Sequence, residues 1–170
     1  NCHIKPLNKR FMKVLKFGGS SVAKPERIRS IVDILKGYYT KGEKFTVIFS
    51  AFGGVTDALI EMGELAAKGD EAYLDKFEAF RQRHIAAVED LLQGEHQAMV
   101  LPELERSNEV LKNLLYGVFL VREASKRTMD YVLSFGERNS AFIISHVLRQ
   151  SGINASYLDA RRIIKTDKSF

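Results

Sequence analysis

Lys13-Val14-Leu15-Lys16-Phe17-Gly18-Gly19-Ser20-Ser21 and Phe45-Thr46-Val47-Ile48-Phe49-Ser50-Ala51-Phe52-Gly53-Gly54-Val55-Thr56-Asp57 follow one design: a short apolar run, a glycine pair, then hydroxyl residues. Phe45–Phe49 is almost continuously apolar and β-branched, which predicts a strand covered on both faces. Between the two runs, Ile28, Ile31, Val32 and Leu35 recur at helical spacing. Pro25 suits the first turn of that helix and Gly37 its stop. Two strands joined by a helix of this length predict a right-handed βαβ unit and a parallel pair.

Downstream the period is helical. Ala58, Met62, Leu65 and Ala66 form one stripe, ended by Gly69. Leu74, Phe77, Phe80, His84, Val88 and Leu91 form a second, ended by Gly94. Pro102 is read as opening a helix that carries Leu104, Leu111, Leu114 and Val118. Met129, Val132, Leu133, Ala141, Ile144 and Leu148 carry the period to Gly152. Strand-like sequence returns at Ala155–Leu158 and Ile163–Lys165. The expected fold is α/β, with a parallel sheet of about three strands, short of the usual five or six.

Composition narrows the classes. At 170 residues, 45% of them hydrophobic, the chain can bury one core but not a second domain of ordinary size. The net charge is +5, yet basic residues alternate with acids in Lys36–Lys44 and Glu71–Arg83, so no nucleic-acid-binding surface is expected. No apolar run reaches the length that spans a membrane, and the polar start Asn1–Arg10 has no signal core. The single cysteine, Cys2, rules out an internal disulfide framework and suits a reducing cytoplasm. His3, His84, His96 and His146 lack metal-ligand spacing; His84 and His146 are read as packed or surface residues of helices.

Three segments carry chemistry. Lys16–Ser21 ends the first strand, and in open α/β sheets ligands gather at that edge. Its glycines let the backbone approach an anion, N–H groups at the following helix start would point at it, and Lys16 adds a full charge. Lysine precedes the glycines, so this is not a Walker A loop. A plain βα turn with a solvated lysine accounts for the same residues. Ser50–Asp57 repeats the device, with Thr56 or Asp57 as candidate N-cap. Two such turns on adjacent parallel strands would form one crevice. The third segment, Ser134-Phe135-Gly136-Glu137-Arg138-Asn139-Ser140-Ala141, sets a glycine inside a helix at a cost of about 1 kcal/mol, which calls for close packing. A Glu137–Arg138 pair on the outer face is its plainer reading.

In this order the segments resemble the aspartate kinase family. Lys16–Val22 (K-F-G-G-S-S-V) is similar to its opening signature, Ser50–Thr56 to its second loop, Ser134–Ala141 to its third, and Asp159-Ala160-Arg161 to its downstream D-A-R. The helical stretch between the second and third motifs resembles the forms fused to homoserine dehydrogenase.

The resemblance runs from Met12 to the chain end. It implies a three-layer αβα, mostly parallel amino-acid-kinase (carbamate-kinase-like) fold, of which residues 12–170 would be the amino-acid-binding part. Residues 1–11 would be an extension, and the nucleotide pocket would lie outside the chain. It implies transfer of the ATP γ-phosphoryl, with Mg2+, to the β-carboxylate of L-aspartate, the first step of lysine, threonine and methionine synthesis. The full-length protein would be a homo-oligomer, and the fragment alone close to inactive.

By the same resemblance Lys16 would neutralise charge between aspartate and phosphate. Gly18, Gly19 and Ser20 would contact phosphate. Ala51 and Thr56 would touch aspartate, and Glu137 would hold its ammonium group. No metal ligand is assigned within the chain. Asn139 stands where the family usually has an apolar residue, and is expected to weaken packing behind the site. Two other readings fit the residues: a kinase for another amino acid, such as glutamate, and a non-catalytic α/β binding module.

Overall fold

The computed structural model describes residues 12–164. Strand β1 (Lys13–Phe17) leads into helix α1 (Pro25–Thr40), which crosses to strand β2 (Phe45–Phe49). The strands pair in parallel, with Lys13 opposite Phe45, Lys16 opposite Ile48 and Phe17 opposite Phe49. Four helices follow: α2 (Val55–Lys68), α3 (Tyr73–Leu91), α4 (Gly94–Val121) and α5 (Lys126–Gln150). A 3-10 turn, Ala160–Arg162, closes the described chain.

Strand alternation decides the layers. Leu15, Phe17, Phe45, Val47 and Phe49 share one sheet face and pack on the helical core, the rings of Phe17 and Phe49 stacking at 5.8 Å. Met12, Val14, Lys16, Thr46 and Ile48 share the other face, which is bare among the described residues; Val14 is 64% and Ile48 49% exposed. Among the described residues β2 is therefore covered on one face only. They supply the parallel sheet and one helical layer of the α/β fold, and the apolar Ile48 belongs to the side left open.

The helical layer is built from stripes at the 3.6-residue period. Val55, Leu59, Met62 and Ala66 of α2 meet Phe77, Phe80, His84 and Val88 of α3, Leu104, Leu111 and Leu115 of α4, and Val132, Phe135 and Ile143 of α5, all buried. Several boundaries differ from the expected ones. Helix α1 runs through Gly37 to Thr40, because an exposed glycine weakens a helix without stopping it. Gly94 is the first residue of α4, which passes through Pro102 on its exposed side, where the missing N–H removes one bond of a long ladder.

Ala155–Leu158 forms no strand. Ile153 is buried, and Ala155, Tyr157 and Asp159 are half-buried, so the period-two alternation exists, but the segment lies against α5 through an edge-on Phe142–Tyr157 contact at 5.5 Å instead of on a sheet. Ile163 and Ile164 follow the 3-10 turn without strand pairing, and Lys165 lies outside the described residues. The described sheet thus has two strands, not three.

Candidate functional site

The two glycine turns meet at the C-terminal end of the strand pair. After Phe17 the chain folds back on Gly18, whose carbonyl accepts from the N–H groups of Ser21 and Val22 at 2.9 and 3.2 Å. Ser50 N–H donates to the Phe17 carbonyl at 3.0 Å, carrying the ladder one step past the strands and fixing the second turn beside the first. A Cβ on Gly19 would stand 3.3 Å from the Ala51 carbonyl, and one on Gly53 would stand 2.9 Å from Ala23 Cβ. Where the two turns approach, Gly53 leaves no room for a side chain and Gly19 leaves little. The space in front of Gly18 is open.

Gly54 occupies the left-handed region, φ 78°, and is the residue before the first turn of α2. The helix is thus capped by a backbone bend, not by the Thr56 or Asp57 side chain. Thr56 and Asp57 lie within the first helical turn, and their N–H groups have no acceptor among the described residues. The N–H groups of Gly19 and Ser20 are equally unclaimed there. Exposed backbone donors at a helix start and a turn are what an anion requires. The expectation for the first turn needs one correction: α1 begins only at Pro25, after Val22–Lys24, so the donors there belong to the turn and not to a helix. Arg27 of α1 holds the turn from behind by donating to the Ser20 carbonyl at 2.5 Å.

The third segment packs beneath the second turn. A Cβ on Gly136 would lie 2.8 Å from Ala51 Cβ, 3.2 Å from Leu59 Cδ1 and 3.3 Å from Val55 Cγ1, so α5 reaches the turn only because residue 136 has no side chain. One helical turn on, the buried Ser140 hydroxyl donates to the Ser50 carbonyl at 2.8 Å. Ser140 was not singled out in the sequence; its spacing of four from Gly136 was the available signal, since it puts both on one helix face.

Glu137 flanks that face, exposed, with no ion-pair partner among the described residues. It makes no pair with Arg138, whose guanidinium lies 4.7 Å over the Phe135 ring and 3.7 Å from Asp159. Asp159 is held well below the usual carboxylate range, at about 2, chiefly by the hydrogen bonds of Arg161. Asn139 is buried and accepts from Ser107 of α4 at 2.8 Å, so its polarity is partly satisfied, although its amide nitrogen finds no partner among the described residues.

Lys16 sits one residue before the end of β1, exposed, on the bare sheet face, with no ion-pair partner among the described residues. Lys16 is thus on the bare face of the sheet, while Gly136 and Ser140 meet the second turn from the covered face. Among the described residues no cluster of three His, Cys, Asp or Glu side chains could hold a metal ion.

A parallel strand pair ending in two adjacent glycine turns, joined by a helix and covered by a helical layer, defines an α/β protein of the open-sheet kind. The amino acid kinase family model matches residues 12–169, and the chain belongs to that family. It is 31% identical over 151 residues to bifunctional aspartokinase/homoserine dehydrogenase 2 of Arabidopsis thaliana, a match that covers 89% of this chain and 16% of that protein. It is 33% identical over 159 residues to aspartokinase 1 of the same plant, covering 91% of this chain and 26% of that one. The fold superimposes on E. coli aspartokinase III in complex with aspartate and ADP with a TM-score of 0.80, at 26% identity, over 94% of this chain and 34% of that chain. The chain thus spans about a sixth to a third of the proteins it resembles.

Proposed function

We propose that the full-length polypeptide carrying this segment is an aspartate kinase, transferring the γ-phosphoryl group of ATP to the β-carboxylate of L-aspartate. The observation that carries the reading is the interlocking of the two glycine turns, which leaves the N–H groups of Gly19, Ser20, Thr56 and Asp57 unclaimed beside a free lysine. The similarity to aspartokinases, one of them solved with aspartate and ADP, supports the choice of substrate.

The accepting carboxylate has a solution pKa of about 3.9 and is ionised at neutral pH. It needs no general base, so the protein's task is to hold two anions together and neutralise them. In this reading Glu137 pairs with the α-ammonium group on the helix side, while Ala51 and Thr56 contact the aspartate. The β-carboxylate is directed across the strand ends towards Lys16, which offsets its charge against the phosphate. Gly18, Gly19 and Ser20 receive phosphate oxygens through backbone and hydroxyl donors, and the open space before Gly18 suits their approach.

ATP supplies the phosphoryl group when bound; the free N–H groups fit phosphate oxygens, and no residue of this chain is assigned to the Mg2+ that accompanies it. A panel of L-aspartate, L-glutamate and buffer, read by ADP release from the full-length polypeptide, tests the proposal. Release with aspartate alone is expected. Preference for glutamate would transfer the site to another amino-acid kinase, and release with neither would remove the kinase reading.

A further inference from the structure

His84 of α3 plays no part in the chemistry above, yet it is the most completely enclosed titratable side chain of the described residues, with no measurable exposure. Its Nδ1 lies 2.8 Å from the Phe80 carbonyl, one helical turn back, so that nitrogen carries the proton and donates. Nε2 is then a bare acceptor, and it finds no donor among the described residues. A buried acceptor left unmatched is unfavourable, and its persistence calls for a reason in the ring itself.

The ring has two aromatic neighbours. Phe80 lies at 4.4 Å, tilted by 47°, and Phe52 stacks at 5.3 Å with an interplanar angle of 27°. Phe52 is the central residue of the second glycine turn and its large buried side chain, 3% exposed. Its carbonyl accepts from Val55 N–H at 2.9 Å, the bond that closes the turn. The chain of contacts is therefore short: the His84 ring sets Phe52, Phe52 sets the Gly53–Gly54 bend, and that bend aims the N–H groups of Thr56 and Asp57.

We infer that His84 is a positioning residue, which fixes the second glycine turn through its stack on Phe52 without touching substrate. A flat, neutral, hydrogen-bonded ring suits that role better than an aliphatic side chain. Offset stacking restricts both the height and the tilt of the Phe52 ring, and the bond to Phe80 locks the histidine's own rotation. The inference rests on the proposed function only in naming what the turn is positioned for.

The test compares His84→Ala, His84→Phe and Phe52→Leu. Amide hydrogen exchange on this chain reads the turn directly. In His84→Ala the amides of Val55 and Ala58, which bond to the Phe52 and Gly54 carbonyls, should exchange at least about tenfold faster, with α4 unchanged, and His84→Phe, which keeps a ring, should restore most of the protection. Phe52→Leu, which removes the stack from the other partner, should reproduce the loss if His84→Ala does not fold. In the full-length polypeptide, His84→Ala should raise the aspartate KM by about tenfold with kcat within about twofold of the parent, and His84→Phe should reverse that split. Exchange that rises equally throughout α3 and α4, no change at Val55 and Ala58, or failure of His84→Phe to restore them would each overturn the inference. A parent polypeptide without aspartate kinase activity would remove the proposed function, while the exchange data would still decide whether the turn depends on His84.

Discussion

Replacing Gly136 by alanine sets two terms of opposite sign against each other. In an exposed helix interior the change is worth about 1 kcal/mol in favour of the folded state, because alanine loses less backbone freedom than glycine. At position 136 the added Cβ would stand 2.8 Å from Ala51 Cβ, with Leu59 and Val55 at 3.2 and 3.3 Å. Ala51 Cβ is fixed to the turn backbone and cannot swing aside. Overpacking of this kind costs about 1–3 kcal/mol, so Gly136→Ala should be net destabilising by roughly 1 kcal/mol, or about 2–4 °C in Tm for a chain of this size.

Gly37 and Gly117 are the internal standards. Both lie on exposed helix positions, and nothing stands within 4 Å of a Cβ at either. Gly37→Ala and Gly117→Ala should each stabilise by about 0.5–1 kcal/mol. Urea unfolding of the three variants beside the parent measures all the signs at once. Stabilisation by Gly136→Ala of the same size as the other two would refute the close approach of α5 to the second turn, and with it the geometry of the site.

Further outcomes follow from single contacts. Ser140→Ala removes the donor to the Ser50 carbonyl and should destabilise by about 1–2 kcal/mol in the same unfolding assay, with Ser140→Thr costing no less because the added methyl enters a filled core. In the full-length polypeptide Lys16→Ala should lower kcat far more than it raises aspartate KM, and an unchanged kcat would end that assignment. Glu137→Gln should raise aspartate KM while leaving the fold intact; an aspartate dependence equal to the parent's would remove Glu137 from the site.

Burial lowers the folded-state pKa of His84 to about 4 from an ordinary 6.5. The unfolded chain therefore binds the extra proton first, and stability is fully present above about pH 6.5 and lost as pH falls towards 4. The loss is ~3 kcal/mol for one such group. Relative to His84→Phe, the parent should lose unfolding free energy of that size across the window, and parallel curves would contradict it.

The strand pair and both glycine turns were legible because their signals are local: β-branched runs, a glycine pair and helical spacing between them all fall within a few residues. That Gly136 requires close packing was also readable, since an unexplained helix glycine demands a neighbour. The identity of that neighbour was not, because Ala51 is remote in sequence and is brought there by the fold. The end of α3 at Leu91 and the start of α4 at Gly94 are not legible for a related reason. Gly94 reads equally as the stop of one helix and the opening of the next, and Pro102 reads as a start wherever it stands. Ala155–Leu158 kept the alternation of a strand, but a strand is completed by a partner's ladder, and here the partner surface is a helix. His84 was visible only as a member of an apolar stripe; nothing in the stripe reveals that Phe52 lies across it.

The central claim is that the paired turns and Lys16 bring an aspartate carboxylate to a phosphate. It is tested most directly by trapping the product: the full-length polypeptide is given ATP, Mg2+ and L-aspartate with hydroxylamine present, and acyl phosphate is read as the hydroxamate. Aspartate β-hydroxamate is expected from the parent and little from Lys16→Ala. No β-hydroxamate from the parent, or equal amounts from both, would contradict it.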